Sequence, residues 1–508
     1  MKFNLKTISL SILILLVLFT IATYLYFRHE INQSLGGNTQ QVDSSLFRPI
    51  TGPIAITNVN VLSTNAKTMR PNQTVIIEDG KIVSISQNSE ISNNYHVVNG
   101  KNKYLIPGLV DSHVHLKKSK NDLLLYVANG ITQVAEMTGM EHHFDYIEEI
   151  SKGSIGPGIF VASPKVTSQK GWYPTVRSIF EKRHQNYLSP SEGRDAVKKY
   201  KSMGYQAIKL SSDLSSDIYY AVNDEAQKQK IPVIGHLPVG LQLKDLYQSG
   251  QSQLSHIDSI THNLMNEFGG ITEKNHQQFL SHIKSSANSI ASKFKEQNIF
   301  LASTVWLHKT RQLQAYELQS FFKTIPLEYQ NPGWLESSAI SKGCLPGGNA
   351  YEYASTDSAK TKQYVSTYLK TYNEAIKIIT QSLIVHGVPI TAGTDSLGAC
   401  GMIAGFSLHK ELQALNQIGL SNSQVLKSAT SIPSEWMGTN AGLIKKGYQA
   451  DLVLLNKNPL VDISNTQTIE SVIVNGKYLD RKQLNNILAA VKKANNMSRN
   501  KKIDQYLL

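Results

Sequence analysis

Two histidines one residue apart end an apolar segment, LIPGLVDSHVHL, which covers residues 105–116. Alternate residues of a β-strand point to the same face, so His113 and His115 share a face and Val114 points away from it. Two imidazoles in this arrangement can bind one metal ion. The same spacing also occurs in exposed or hydrogen-bonded histidine pairs, so the prediction of a metal site depends on what other strand ends carry.

Four further side chains of ligand type end apolar runs. Lys209 ends YQAIKL, His236 ends IPVIGHLP, His256 ends SQLSHID and Asp395 ends VPITAGTDS. Taken singly, each has an ordinary explanation: a lysine whose ammonium reaches the rim, two structural histidines, and a helix N-cap. Together with the histidine pair they lie at the carboxyl ends of five strands, which is where barrel enzymes build their active sites.

The strand candidates that carry these residues alternate with helical segments. Eight apolar runs, including GITQVAEM, GIFVAS and NIFLAST, are separated by stretches such as 191–204 and 217–230. This α/β pattern predicts a (β/α)8 TIM barrel over residues 106–440. A long segment rich in Tyr, Ser and Lys, residues 305–375, precedes the last strand and is predicted to be an insertion near the mouth of the barrel.

Two β-patterned segments flank the predicted barrel. Residues 53–105 and 441–485 alternate apolar and polar positions, and Asp79-Gly80, Asn99-Gly100 and Asn475-Gly476 have the composition of hairpin turns. The first segment is predicted to be a small antiparallel unit that the second completes. The barrel would therefore be inserted into a small composite β-sandwich.

The N-terminus predicts a membrane anchor. Residues 7–27 carry no charge, and as a helix they would span about 31 Å. Lys2 and Lys6 precede them, so residues 1–6 are expected in the cytoplasm and the rest of the chain outside it, after a linker over 28–52. The alternative is a signal peptide whose cleavage would release a secreted protein.

Composition limits the other function classes. The chain has 508 residues, of which 41% are hydrophobic and 18% charged, as in globular proteins. Its net charge of +13 favours contact with an anionic membrane surface or acidic polymers. The basic residues are dispersed and form no nucleic-acid-binding pattern, so a nucleic-acid partner is not expected.

The chain has two cysteines, Cys344 and Cys400. This number excludes a disulfide framework but leaves one bridge open, and Cys400 is interpreted as structural.

The motifs together resemble a known family. PGLVDSHVHL, the later lysine, the two single histidines and GTDS are similar to the metal-dependent amidohydrolase superfamily. The closing stretch, FSLHKELQALNQIGLSNSQVLKSATSIPSEWMGTNAGLIKKGYQADLVLLNKNPL, resembles the imidazolonepropionase-like and prolidase-like branch. The resemblance covers residues 53–480. It implies a barrel flanked by a β-sandwich, and a hydrolase that uses divalent metal ions, usually zinc.

Carried over to this chain, the resemblance implies two metal sites. His113 and His115 would bind the first metal ion together with Asp395, and His236 and His256 would bind the second. His409, in SLHKEL, aligns with a histidine common in this branch, but it is assigned to packing rather than to the ligands. His142 and His143 are predicted to lie at the surface.

Lys209 matches a lysine that family members carboxylate, which implies a carbamate that bridges the two metal ions. Such an anion explains why a lysine ends an apolar strand. In the implied mechanism a bridging water loses its proton under two divalent charges and attacks a carbonyl polarised by one metal. Asp395 then takes the proton and passes it to the leaving amine.

These expectations define an amidohydrolase that hydrolyses an amide, peptide or cyclic amide bond in a small or short peptide-like substrate. A lactonase, esterase or phosphotriesterase would use the same activated water and remains the alternative enzyme. A barrel kept only as a binding scaffold is the alternative outside enzymes, and it conflicts with the presence of every expected ligand.

Overall fold

The computed structural model describes residues 5–87, 90–172, 174 and 183–507, and it begins with a long helix. This helix, α1, covers Leu5–Ser34, and the most apolar 18-residue window within Ser9–Ser34 has a mean hydropathy of 2.4 and is 0% buried. By length and composition it can cross a membrane. Residues 1–4 of the predicted cytoplasmic N-terminus lie outside the described residues.

The described strands are short and follow one another along the chain in the following order: β1 Ile54–Leu62, β2 Met69–Glu78, β3 Lys81–Ser86, β4 His96–Asn99, β5 Tyr104–Pro107, β6 Leu109–Val114, β7 Ile131–Glu136, β8 Gly158–Val161, β9 Lys165–Thr167, β10 His184–Asn186, β11 Ile208–Leu210, β12 Val233–Gly235, β13 Gln253–Ser255, β14 Phe300–Ala302, β15 Ile390–Thr391, β16 Leu452–Leu455, β17 Ile469–Val474 and β18 Lys477–Asp480.

The described helices after α1 lie mainly between the barrel strands: α2 Asn121–Ala128, α3 Glu141–Ser151, α4 Pro190–Ser202, α5 Ser216–Gln229, α6 Leu243–Ser249, α7 Ile257–Phe268, α8 His276–Glu296, α9 Val305–Tyr316, α10 Leu318–Phe322, α11 Pro332–Leu335, α12 Ala359–Val385, α13 Phe406–Ile418, α14 Asn422–Ser428, α15 Ser431–Trp436 and α16 Arg481–Ser498.

Parallel strands form the barrel that carries the predicted site. β6, β7 and β8 form one parallel sheet, and β11 to β15 pair in parallel in chain order within a second sheet. Single parallel bridges, Ala162 to Ala207 and Val114 to Ser396, connect the two sheets at both ends. Among the described residues, eight strands therefore follow one another around a ring, and they are the eight that the sequence predicts. The TIM-barrel prediction is confirmed.

A separate, mixed sheet brings the two flanking segments together. Its order is β18-β17-β16-β5-β1-β2-β3, so strands from both sides of the barrel pair through β16 and β5. Asp79-Gly80 and Asn475-Gly476 form tight hairpin turns with positive φ at both residues.

The prediction that the first segment is purely antiparallel, with a hairpin at Asn99-Gly100, is wrong. β4 and β5 both run parallel to β1, so this turn joins two strands that point the same way. Gly100 is required there for another reason: a Cβ would lie 2.6 Å from Cβ of Val59. Glycine permits this close approach to β1.

The predicted linker 28–52 is also not a free segment. Residues 28–34 continue α1, and Leu35, Thr39 and Phe47 are buried against the domain. The polar composition of residues 28–52 is typical of a linker. In the structure, however, polar side chains of this segment form hydrogen bonds with the barrel loops, as Gln41 does with the backbone N–H of Lys120.

The insertion before the last strand ends earlier than the sequence predicts. α12 begins at residue 359 and packs on α8 as a regular barrel helix, so the inserted part spans 305–358 rather than 305–375. Its apolar core includes Phe321, Phe322 and Leu335 and continues into residues 399–403, just after the last barrel strand. A disulfide between Cys344 and Cys400 joins the same two segments. The insertion is thus fixed to the loop that follows Asp395.

Candidate metal centre

A buried carboxylate sets the relative position of the first and last barrel strands. Asp111 accepts hydrogen bonds from the backbone N–H of Thr394 at 3.0 Å and from its hydroxyl at 2.6 Å. The backbone N–H of Asp395 donates to the carbonyl of His113 at 2.8 Å. The aspartate that precedes the histidine pair therefore holds the loop that carries Asp395 beside the pair.

The predicted ligands meet at the carboxyl ends of the strands. Nε2 of His115 lies 2.9 Å from Oδ1 of Asp395, and Nε2 of His113 lies 3.7 Å from the same oxygen. The donor atoms of His113, His256 and Asp395 all lie within 4.8 Å of one another. The ring of His236 lies 5.4 Å from that of His256. Side chains from four different strand ends are thus brought together.

The burial of His113 fits a metal ion. Its side chain is 0% exposed, and within the described part of the chain neither of its ring nitrogens has a hydrogen-bond partner. Buried polar groups in proteins are almost always paired, so two free nitrogens in the interior require a partner. A divalent cation among imidazoles and a carboxylate is such a partner.

The protonation states agree with this donor set. Burial, together with the neighbouring His256 and Lys209, holds the pKa of His113 well below its usual range. Burial lowers the pKa of His115 and of His256 to about 4. Burial raises the pKa of Asp395, but its hydrogen bond to His115 and the nearby imidazoles lower that pKa to about 2 overall. Neutral imidazoles and an ionised carboxylate are the forms that bind metal ions.

Lys209 lies in the barrel interior and does not reach the rim. Its side chain is 0% exposed, and Nζ lies 3.4 Å from the hydroxyl of Ser255 on β13, which is separated from β11 by β12. Burial and then the charge of Lys165 lower the pKa of Lys209 to about 7, against the opposing effect of Asp395 and Glu136. A large fraction of this amine is therefore neutral at physiological pH.

Sequence reasoning missed the groups that orient His115. The hydroxyl of Thr138 is hydrogen-bonded to Nδ1 of His115, which leaves Nε2 to face Asp395. Glu136 accepts hydrogen bonds from the backbone N–H groups of Leu116 and Thr138, so it holds both loops together. Glu136 lies at the end of the apolar run GITQVAEM, and Thr138 follows this run directly. Their position at a strand end was the available signal.

An acidic residue beside the second histidine pair was also missed. Asp258 lies two residues after His256, and its Oδ1 is 3.4 Å from Nε2 of the buried His308. Burial raises the pKa of Asp258, but the imidazoles of His308, His256 and His236 lower it overall. His308 comes from α9 of the insertion. No spacing in the sequence connects residue 308 to residue 258.

Three histidines outside the ligand set have structural surroundings. His409 is hydrogen-bonded to the Thr466 hydroxyl and to the carbonyl of Asn129, both at 3.0 Å, which fits a packing role. The prediction that His142 and His143 lie at the surface is wrong for His143, which is 0% exposed and accepts a hydrogen bond from the N–H of Met140. Helix α3 turns this residue toward the barrel, whereas His142 is partly exposed.

A cavity of about 770 Å³ lies beside the ligands, between the insertion and the loop after Asp395. Trp334, Tyr351 and Gly398 are among the residues that line it. At Gly398 a Cβ would lie 2.4 Å from the His115 ring and 2.6 Å from Oδ1 of Asp395, so only glycine fits between the cavity and the ligands. This volume is that of a small-molecule site.

Comparison with known proteins agrees with this geometry. The profile of the Amidohydrolase family matches residues 104–479. Over 118 residues the chain is 32% identical to ochratoxinase from Aspergillus niger, and this alignment spans 22% of each of the two chains. About a fifth of that relative's length is therefore matched.

Solved structures share the fold over most of the chain. A bottromycin amidohydrolase superposes with a TM-score of 0.67 at 18% identity, covering 92% of this chain and 96% of that one. A Xaa-Pro dipeptidase superposes with a TM-score of 0.59 at 15% identity, covering 84% of this chain and 100% of that one. At these identities the similarity shows a shared fold.

Replacement of Thr138 by valine should weaken metal binding without unfolding the barrel. The valine keeps the shape but removes the hydrogen bond that orients His115, and loss of such a partner typically lowers metal affinity about 10- to 100-fold. The affinity is measured by adding metal ion to the metal-free protein in competition with a chelator. Thr132→Val, a buried change at the other end of β7, is the control. Equal affinities of the two variants would show that Thr138 does not position His115.

Proposed function

This chain belongs to the amidohydrolase family, and we propose that it is a metal-dependent hydrolase of carbon–nitrogen bonds in amides, peptides or cyclic amides. The observation that carries the proposal is His113, which is fully buried beside His256 and Asp395 and has no hydrogen-bond partner for either ring nitrogen among the described residues. A cluster of this kind has no packing function, because its polar atoms would be left unpaired in the interior. The substrate is a small molecule or a short peptide-like compound that fits the adjacent cavity.

The proposed ligands divide into two groups around Asp395 and Lys209. His113, His115 and Asp395 would bind one divalent ion, and His236 and His256 a second, with zinc favoured by nitrogen and carboxylate donors. When bound, the ions would supply a water molecule of lowered pKa and a Lewis acid for the scissile carbonyl.

Lys209 is proposed to be carboxylated. Its neutral amine attacks carbon dioxide, so that one N–C bond forms, one C–O π bond breaks and one proton is released, which turns the neutral amine into an anion. Burial supports this step, because it raises the neutral fraction of the amine. The resulting carboxylate can bind both ions, whereas an ammonium would repel them.

Asp395 is proposed to move the proton. Its pKa of about 2 keeps it ionised at neutral pH, so it can accept the proton that the attacking water releases and pass it to the leaving nitrogen. Its location beside His115 and next to the cavity supports this role, because the carboxylate can face a bound amide there. Thr138 keeps the His115 ring in place during the transfer.

The protein is also proposed to be anchored in a membrane, with its barrel outside the cytoplasm. Leu35 and Gly36 pack closely against the barrel domain, so the residues that follow α1 belong to the folded structure and keep the end of the helix beside it. The Cys344–Cys400 disulfide fits an oxidising compartment such as the periplasm or the extracellular space.

Asp395→Asn should retain metal ions but lose most activity. The amide still offers a ligand oxygen but cannot accept a proton, and loss of general acid–base help lowers the rate on the order of 10²-fold or more. The substrate for this assay is first identified by screening the wild-type protein against N-acyl amino acids, X-Pro dipeptides and cyclic amides. Lactones and phosphotriesters are tested for comparison. Metal analysis runs in parallel. A near-normal rate of the variant would assign the proton transfer to another group, and cleavage of lactones alone by the wild type would exclude the proposed hydrolysis of carbon–nitrogen bonds.

Lys209→Ala should lose metal and activity together, because the variant lacks the bridging carboxylate. Wild-type protein loaded with zinc and bicarbonate should contain about two metal ions per chain, one for each proposed set of ligands. Formate or acetate should partly restore the metal content and the activity of Lys209→Ala. Lys209→Met serves as a control of similar side-chain length. Two metal ions and full activity in Lys209→Ala would exclude the carbamate.

Protease added to intact spheroplasts should digest the barrel domain, because the positive residues before the helix favour its N-terminus in the cytoplasm. A cytoplasmic marker protein must remain intact in the same sample. Digestion only after lysis would reverse the orientation, and a soluble form that starts beyond residue 27 would instead indicate a cleaved signal peptide.

A further inference from the structure

Helix α1 attaches to the domain at the mouth of the barrel. The described side chains of residues 9–29 are exposed, apart from the partly exposed Thr23, and contact with the domain starts at Glu30. The carboxylate of Glu30 accepts a hydrogen bond from the N–H of Ala339 at 2.8 Å, and the carbonyl of Leu35 accepts one from the backbone N–H of Lys118 at 2.9 Å. These partners belong to the insertion and to the loop after β6.

The attachment is a tight backbone contact. A Cβ at Gly333 would lie 2.0 Å from the carbonyl oxygen of Gln33, and one at Gly36 would lie 2.7 Å from the side chain of Asn331. The side-chain amide of Asn32 also accepts a hydrogen bond from Nζ of Lys118 at 3.1 Å. The end of α1 is therefore fixed to the catalytic face of the barrel, and Lys118 is only three residues from His115, a chain length of at most about 11 Å.

The distance along α1 places this face at the membrane surface. Glu30 follows Phe27, the last apolar residue of the span, by three positions, which corresponds to about 5 Å of helix rise. Leu35 follows about 12 Å beyond Phe27. The headgroup layer on one side of a bilayer is roughly 5–7 Å thick. The mouth of the barrel therefore starts where the headgroups end.

Exposed apolar side chains occur at the same end of the barrel. Trp172 is 77% exposed in the segment after β9, Val239 is 62% exposed after β12, and Ile340 and Tyr353 of the insertion are 42% and 44% exposed. Single exposed apolar residues are normal on a protein surface. These four, however, lie in segments that leave the carboxyl ends of barrel strands, and Trp and Tyr are enriched at membrane interfaces.

The cavity extends from this surface to the candidate ligands. Trp334, which lines it, directly follows Gly333, the residue in contact with α1. Tyr353 also lines the cavity and is partly exposed to solvent. Gly398 lines the same cavity and touches His115 and Asp395. The cavity thus lies between the end of α1 and the candidate catalytic groups.

We infer that the mouth of the barrel faces the lipid bilayer that α1 crosses, and that the enzyme takes amphiphilic amides, with an acyl chain held in the membrane, directly from the bilayer surface. This inference rests on the proposed function and names its substrate class. The aromatic and aliphatic rim residues contact the interfacial layer, and the cavity admits the polar amide end to the site. The basic charge of the chain, +13, favours an anionic lipid surface.

The substrate class is tested with full-length, zinc-loaded protein in phosphatidylcholine–phosphatidylglycerol vesicles. An N-acyl amino acid with a long acyl chain is compared with the N-acetyl derivative of the same amino acid. The long-chain compound should have a kcat/KM at least about tenfold higher, because its chain concentrates it in the bilayer. Equal or lower kcat/KM for the long-chain compound would overturn the inference while the proposed function stands.

Surface variants test whether the rim residues deliver this substrate. Trp172→Ser and Val239→Ser should lower hydrolysis of the long-chain compound severalfold and leave that of the N-acetyl compound unchanged. Val385→Ser is the matched control, since Val385 is 82% exposed at the end of α12, which leads into the opposite end of the barrel. If the rim variants behave like Val385→Ser, the rim does not contact the membrane.

A measurement without substrate separates the two proposals. Brominated phosphatidylcholine in the vesicles should quench tryptophan emission, and Trp172→Phe should lose most of this quenching, whereas Trp436→Phe should retain it. No difference between the two variants would overturn the membrane-facing mouth. If no amide is cleaved, the proposed function fails, and the quenching still decides the orientation of the barrel.

Discussion

The burial of ligand-type side chains at the carboxyl ends of the barrel strands is the constraint on which the site depends. His113 and Lys209 have no exposed side-chain surface, and an unpaired polar group in the interior costs about 1–3 kcal/mol. Metal binding by comparable donors supplies on the order of 10 kcal/mol, which exceeds this cost several times. The donor set at this end of the barrel therefore fits a bound cation, and the surrounding loops hold the candidate ligands together.

Buried carboxylates outside the ligand set hold those loops. Asp111 binds the backbone and hydroxyl of Thr394, and Glu136 binds two backbone N–H groups next to His115 and Thr138. Glu411 accepts three hydrogen bonds at the start of α9, the first helix of the insertion. Each carboxylate joins segments that are distant in sequence, so the ligands stay in place although they come from separate loops.

The sequence predicted the barrel strands and the convergence of their ends because both depend on local patterns. Short apolar runs between helical stretches locate the barrel strands, and parallel strands bring their carboxyl ends to one edge, so His113, Lys209, His236, His256 and Asp395 could be grouped without a structure. Pairing between distant segments is not local. The Asn99-Gly100 turn resembles a hairpin, but β1 already provides a parallel neighbour for both of its strands. The contact of His308 with Asp258 and the buried position of His143 depend likewise on helix packing.

The N-terminal helix illustrates how tertiary packing changes the meaning of a sequence element. Hydropathy alone describes a tether, whose only effect is to keep the domain near a membrane. In the folded protein its last turn packs against Gly333, and the next residue, Trp334, lines the cavity beside the ligands. The disulfide and the apolar core of the insertion then connect this wall to the loop after Asp395. Because these contacts join the end of the helix to the wall of the cavity, displacement of the helix relative to the barrel would move that wall. The end of the helix is therefore part of the structure that shapes the site.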